Sequence, residues 1–256
     1  MMNAHRLPAR HGALWLIRGW QLLRRHPRPM MAVTMAYFVV AMIINMIPRL
    51  GPFLLPLVIP MLTALLGNAY RTLDHDQLLS PEHITAGLRE QRTKLLRLGG
   101  LHLLGSVILL AISLAVVGDL NPTQDMTVEQ ARDMLLSLSF VVLCASPLLM
   151  AFWFAPLLTA WAGVAPLKAL FFSLVASWRN WRAFAVYGLV IMTAGMALGM
   201  LLGALLAVAG MISPALMSLL SVLPPILIIM LLGPVLAAGI YISYNDVFHT
   251  AEVIDA

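Results

Sequence analysis

The chain has 256 residues, of which 61% are apolar and only 11% charged, with a net charge of +5 and a mean hydropathy of +0.91. A water-soluble domain carries about 25% charged residues, so this chain cannot cover its own surface with polar groups in water. That excludes a soluble globular fold, and the single cysteine, Cys144, excludes an intrachain disulfide.

In chain order, residues 12–25 predict an amphipathic helix. Tryptophan and aliphatic residues cover most of it, while His11, Arg18, Gln21 and Arg25 form a narrow polar stripe at helical spacing. Such a helix is expected in the headgroup layer with its arginines, Arg24 included, toward phosphate. The arginine-rich leader shows no small-residue cleavage site, so no removable export signal is expected. Two charge-free runs follow, at 30–47 and 53–70. At about 1.5 Å per residue each is long enough to cross a hydrocarbon core of about 30 Å.

A polar linker, 71–80, holds Asp74-His75-Asp76, with His83 a little further on. These side chains can ligate a metal, but their spacing is unspecific and a solvated linker is the favoured reading. Ser80-Pro81-Glu82 then starts a second helix: serine caps, proline suits the first turn and glutamate suits the positive end. It is expected to run through Arg89, Arg92 and Lys94 into a third span, 98–117. After the acidic loop 118–133 comes a fourth span, 134–161, too long for one straight crossing. Cys144 lies inside it and reads as a small apolar filler.

Pro166 starts a third helix that carries Phe171, Phe172, Trp178, Arg179 and Trp181 into a fifth span, 184–207. Arg182 falls at the same junction, and tryptophan beside arginine there is an interfacial anchor. Residues 215–223 are too short to cross alone and read as a lead-in or re-entrant piece. The last span, 225–244, ends in Tyr241, Tyr244 and Asp246. Asp246 is expected to pair with Arg179 or Arg24 as a structural clasp.

A pentapeptide recurs in three of these spans: Pro60-Met-Leu-Thr-Ala64, Pro156-Leu-Leu-Thr-Ala160 and Pro234-Val-Leu-Ala-Ala238. Each has another proline upstream (Pro52, Pro147, Pro225). The expected architecture is all-α: a single integral membrane domain over 1–256, a polytopic bundle of about six transmembrane helices. It is built as three hairpin repeats, about 12–70, 81–161 and 166–248, each led by an interfacial amphipathic helix.

Pro60, Pro156 and Pro234 are candidate helix-break positions, because each strips the donor from a carbonyl four residues earlier: Pro56, Phe152 and Met230. Thr63 and Thr159 are placed to help satisfy such groups. Broken spans at matching places build midplane binding sites in some transporters; bending helices so that hairpins pack is the favoured alternative. Gly188, Gly195, Gly199 and Gly203 share one face of the fifth span, where small residues allow close helix approach. A contact within the chain is preferred there to a dimer seam.

Fourteen of the sixteen lysines and arginines fall in the leader, the second-to-third connection and the fourth-to-fifth connection. Basic connections stay in the cytoplasm, so both termini are expected there. The partner implied is a bilayer with anionic headgroups met by Arg18, Arg24, Arg25, Arg92, Lys94, Arg179 and Arg182. Nucleic acid is not needed to explain the charge. A membrane-protein partner is compatible with these features, and the oligomeric state stays open.

None of the six apolar runs holds Asp, Glu, Lys or Arg, and His102 sits near one end of its run. Ion-coupled transport keeps such groups at depth. Membrane haem needs inward histidines, and intramembrane proteolysis needs a buried nucleophile with its base. No catalytic residue, no metal ligand set and no cofactor is therefore expected.

Four stretches carry a resemblance: Gly19-Trp20-Gln-Leu-Leu-Arg24-Arg25-His-Pro27, Phe152-Trp-Phe-Ala155-Pro156, Ser177-Trp-Arg179-Asn180-Trp181-Arg-Ala-Phe184 through Tyr187-Gly188, and Ser243-Tyr244-Asn-Asp246-Val-Phe248. With them the chain, over about 12–248, resembles a proteobacterial family of six-span inner-membrane proteins. That family is distantly similar to the membrane domain fused to some glycerophosphodiester phosphodiesterases. The resemblance implies a bacterial inner-membrane helical bundle. It implies no activity, because the phosphodiesterase's soluble catalytic domain has no counterpart here.

Two functional readings follow. The first is a non-enzymatic scaffold or regulatory component of an envelope assembly. The alternative is an uncoupled passage for an apolar or lipid-like molecule, lined by the proline-bearing spans.

Overall fold

A computed structural model of the chain describes residues 4–117 and 127–248, apart from the side chains of 117 and 131. The first part of the expected acidic loop, with Asp119 and Asp125, lies outside the described residues. The elements, in order, are α1 (His11–Arg25), α2 (Pro27–Asn45), α3 (Gly51–Asp74), α4 (Pro81–Ile84), α5 (Arg92–Val117), α6 (Val128–Ala162), α7 (Pro166–Arg179), α8 (Trp181–Ile212), α9 (Pro214–Leu220) and α10 (Leu223–Phe248). No strand occurs among the described residues. The protein is an all-α polytopic bundle, with six helices among the described residues long and apolar enough to cross a membrane: α2, α3, α5, α6, α8, and α9 with α10.

Most of these helices expose their apolar side chains. Met192, Met196, Met200 and Leu205 of α8 are all open, as are Leu135, Val142 and Leu149 of α6. In water that surface would be untenable; in hydrocarbon it is the solvated face. At 35 residues α6 is roughly 52 Å long at about 1.5 Å per residue. It exceeds one perpendicular crossing, as its sequence predicts, yet it does not stop at Pro147. A capping box starts it: Thr127 accepts from the Gln130 N–H, and the Gln130 side chain accepts from the Thr127 N–H.

Contacts group the chain into two compact units, each drawing on separated segments. The first comprises Met1–Val40, Leu65–Ala86 and Arg179–Ala256. Within it α1 packs against α8 and α10. Its apolar side is buried through Trp15, Leu22 and Leu23. Gly12 makes that packing possible, because a Cβ there would overlap the Ala183 carbonyl and the Tyr187 N–H of α8. Deeper in the unit, buried Thr34 donates to the Met30 carbonyl at 2.7 Å. Its only hydrogen thus used, Thr34 accepts from the Tyr70 hydroxyl at 2.6 Å.

The second unit comprises Ala41–Ala64 and Gly87–Trp178. In it α5 packs on α6. A Cβ at Gly99 would overlap the Leu57 carbonyl, so α5 and α3 approach backbone to backbone. At the Ser173 hydroxyl, α7 enters α6: it accepts from the Phe154 N–H at 2.9 Å and donates to the Met150 carbonyl at 2.8 Å. Those two backbone groups are four residues apart in α6, so one hydroxyl bonds both members of a helical donor–acceptor pair.

Two expectations about local structure are corrected. The second leading helix does not run from Ser80 into the third span. Ser80 does cap, accepting from the His83 N–H at 3.2 Å, but α4 has four residues and ends before Gly87, whose φ of 73° no helix accommodates. The third leading helix also stops, at Asn180, before α8 starts at Trp181. The buried Asn180 side chain accepts from the Leu7 N–H at 2.7 Å and donates to the His5 carbonyl at 2.9 Å. Residues 215–223 form the short helix α9 and the turn before α10, with Met217 folded back against Gly210 of α8.

Candidate functional site

The first unit gathers its polar side chains at the joint of α1, the end of α3 and the end of α10. Asp246 is the centre. Its carboxylate takes Arg18 at 2.8 Å, the Trp15 indole N–H at 3.0 Å and the His11 ring at 3.2 Å. All three lie on one side of α1 because their spacing, 11, 15 and 18, follows the helical turn. Nearby, the Tyr241 hydroxyl donates to Asp74 at 2.8 Å, and the His26 ring meets Asp76 at 2.9 Å. The His5 N–H reaches the Val247 carbonyl at 2.9 Å. The amino-terminal segment, the end of α3, the start of α8 and the end of α10 therefore share one end of this unit.

A polar cleft of about 340 Å³ opens beside the clasp, lined by Arg18, Gln21, Arg25, Asp74, Asn245 and Asp246 among others. His11 and Arg18 of the polar stripe thus meet Asp246 of α10, which corrects the expectation that the whole stripe faces headgroups. Arg18 is Asp246's partner in place of the expected Arg179 or Arg24, because the turns of α1 carry it directly over the end of α10. Arg24 and Arg25 are exposed.

Of the other basic residues, Lys94 is turned inward: its Nζ donates to the Gly163 carbonyl at 2.6 Å, satisfying the end of α6. Arg92, Arg179 and Arg182 are exposed, and Arg182 lies over the Trp181 ring at 5.6 Å.

The prolines do not break their helices. Pro60 lies inside a continuous α3, Pro156 inside α6 and Pro234 inside α10, and all three are buried. Only one donor is missing per proline, and at Pro60 and Pro147 a side chain makes good the loss. The carbonyl stranded by Pro60, that of Pro56, is met by His102 Nδ1 at 2.9 Å. The Ser146 hydroxyl donates to the Leu143 carbonyl, stranded by Pro147, at 2.9 Å. Thr159 does not take the role expected of it; its hydroxyl is buried with no partner among the described residues.

The glycine face of α8 is corrected too. Among the described residues, a Cβ at Gly188, Gly195, Gly199 or Gly203 would meet nothing within 4 Å, so no described helix packs there. Nor does Asp74-His75-Asp76 gather as a ligand set. The helical end and the left-handed Asp76 (φ 54°) send the two carboxylates to Tyr241 and His26.

The chain is 30% identical, over 266 aligned positions, to a protein of Burkholderia thailandensis named a probable inner membrane protein. The match covers 98% of this chain and 96% of that relative. This chain belongs to that inner-membrane protein family. No family model matches it, and no solved structure does. Membership and the six candidate spans together make it a multi-pass protein of an inner membrane.

In this family member the residues that sequence reasoning missed are small polar ones used against backbone: Asn180, Ser173 and Ser177, the last donating to the Met150 carbonyl at 3.2 Å. Ser-Trp-Arg-Asn drew attention for its tryptophan and arginine, whereas the asparagine does the tethering. One signal was available: Asn180 and Ser173 are polar residues set in otherwise apolar surroundings, and such residues need partners.

Proposed function

We propose that the chain is a non-enzymatic component of a bacterial inner membrane, with both termini in the cytoplasm, that scaffolds or regulates an envelope assembly. The observation that carries this reading is the state of the proline positions. Pro60, Pro156 and Pro234 are buried, and the Pro56 carbonyl is taken by His102 of a neighbouring helix. A transport site built on broken spans needs those backbone groups free to meet a cargo; here a side chain of the bundle occupies the one stranded by Pro60.

The proposed orientation draws on the first unit, where the leader, the end of α3, the start of α8 and the end of α10 share one end. Those are the segments rich in lysine and arginine, and such segments favour the cytoplasm. Arg24, Arg25, Arg92, Arg179 and Arg182 are the side chains we assign to anionic headgroups, with roughly 1 kcal/mol for each near the surface. The distant likeness to phosphodiesterase-fused membrane domains brings no catalytic residue into this chain, and hydrolysis is no part of the reading.

One observation favours the alternative of a passage for a lipid-like molecule. An apolar groove of about 270 Å³ lies between α1, α8 and α10, lined by residues such as Ile17, Trp20, Val190, Leu232 and Leu236. Photocrosslinking from Trp20 and Arg24 in native membranes separates the two. A discrete membrane-protein adduct supports the scaffold; adducts with lipid alone, together with lipid exchange by the purified protein in liposomes, support the passage.

A further inference from the structure

The polar linker after α3 makes a second cleft, distinct from the Asp246 clasp. Its volume is about 400 Å³, and Arg71, His75, Gln77 and His83 stand around a floor of Asn68 and Thr72. The floor explains how the walls come together. Buried Asn68 donates through Nδ2 to the carbonyls of Ile84 and Ala86, each at 2.9 Å, and Thr72 donates to the Asn68 carbonyl at 2.9 Å. These bonds fold the α4 segment back along the end of α3, which brings His83 to the cleft that holds Arg71 and His75. His83 is itself steadied, its Nδ1 donating to the Leu78 carbonyl at 3.2 Å.

The sign of the charge decides what such a cleft accepts. Asp74 and Asp76 flank His75 in sequence, but Asp74 receives the Tyr241 hydroxyl and Asp76 is engaged by His26. Among the described residues no carboxylate lines the cleft. Two imidazoles beside a permanent guanidinium, with no anionic ligand, disfavour a metal cation. The same set suits an oxyanion: guanidinium presents a planar fork that matches phosphate, and amide and imidazole N–H groups complete the shell. The volume falls within the range of small-ligand sites.

We infer that this cleft is an oxyanion site that takes the terminal phosphate of a phosphomonoester through Arg71, His75 and His83. The phosphate arrives either on an anionic phosphomonoester lipid or as a free ion. The site does not depend on the scaffold reading, since none of its residues is among the arginines assigned there to headgroups.

Calorimetry on the full-length protein, purified in phosphate-free detergent, tests it. The probes are inorganic phosphate and short-chain phosphatidic acid, with phosphatidylcholine of equal chain length as the uncharged comparison. Saturable binding of phosphate itself identifies a soluble source; binding of phosphatidic acid alone identifies a lipid. In either case Arg71→Gln weakens binding about tenfold or more, the scale of one lost charge-assisted hydrogen bond. His75→Asn and His83→Asn each weaken it several-fold. His75 and His83 are exposed, so these two variants decide the matter if Arg71→Gln fails to fold. Binding of neither probe, or equal binding by the Arg71, His75 and His83 variants, overturns the proposal.

Discussion

His102 and Pro56 meet through a 2.9 Å hydrogen bond between the imidazole Nδ1 and the carbonyl that Pro60 leaves without a helical donor. A backbone defect in α3 is thus repaired by a side chain of α5. The imidazole also stands edge-on to Phe152, centroids 4.6 Å apart, so it is fixed from two sides. A histidine in an apolar run here serves the backbone, with no ligand required.

His102→Leu is expected to cost about 0.6–2 kcal/mol, the range for a hydrogen bond between membrane helices or in a buried site. In a Pro60→Ala background the restored N–H reaches the Pro56 carbonyl, and the same change costs less than about 0.5 kcal/mol. A double-mutant cycle by denaturant titration in micelles measures the coupling. Equal costs in the two backgrounds would contradict the repair.

The Asp246 clasp is asymmetric. Arg18 is 46% exposed and Asp246 only 13%, and Asp246 receives three donors while Arg18 gives one of them. Arg18→Gln should cost less than about 1 kcal/mol, as exposed pairs do. Asp246→Ala should cost about 2 kcal/mol or more, because the buried Trp15 indole loses its acceptor. Thermal unfolding of the purified protein checks the order of the two. A larger loss for Arg18→Gln would show that the aspartate is not the hub.

Gly12 and Gly195 should respond oppositely to a methyl group. Gly12→Ala drives Cβ into the α8 backbone and should cost about 1–3 kcal/mol. Gly195→Ala meets open space and should be neutral, or stabilising by up to about 1 kcal/mol through helix propensity. The readout is the unfolding midpoint of each variant. A clear loss for Gly195→Ala would reveal a neighbour on that face of α8.

Much of the fold was legible because membrane spans announce themselves through long charge-free runs, and all six lie where those runs place them. The Ser80 cap and the amphipathic helix α1 were legible for similar reasons: capping and amphipathic spacing are local. What escaped was whatever depends on a distant partner. Nothing local separates Arg18 from Arg24 as the mate of Asp246, since both sit on the same short helix and only its docking on α10 chooses. The glycine face misled because small residues permit close approach without demanding it. The prolines are plain in the sequence, but the consequence of Pro60 depended on His102 standing opposite, which no spacing rule predicts.

Orientation is the claim on which the functional account turns, and cysteine accessibility in spheroplasts tests it most directly. On a Cys144→Ser background, Val128→Cys (89% exposed at the start of α6) and Gln77→Cys (exposed after α3) are treated with a membrane-impermeant maleimide. With both termini cytoplasmic, the cysteine at 128 is labelled in intact spheroplasts and the one at 77 only after permeabilisation. Labelling of position 77 from outside, with position 128 protected, would contradict the account.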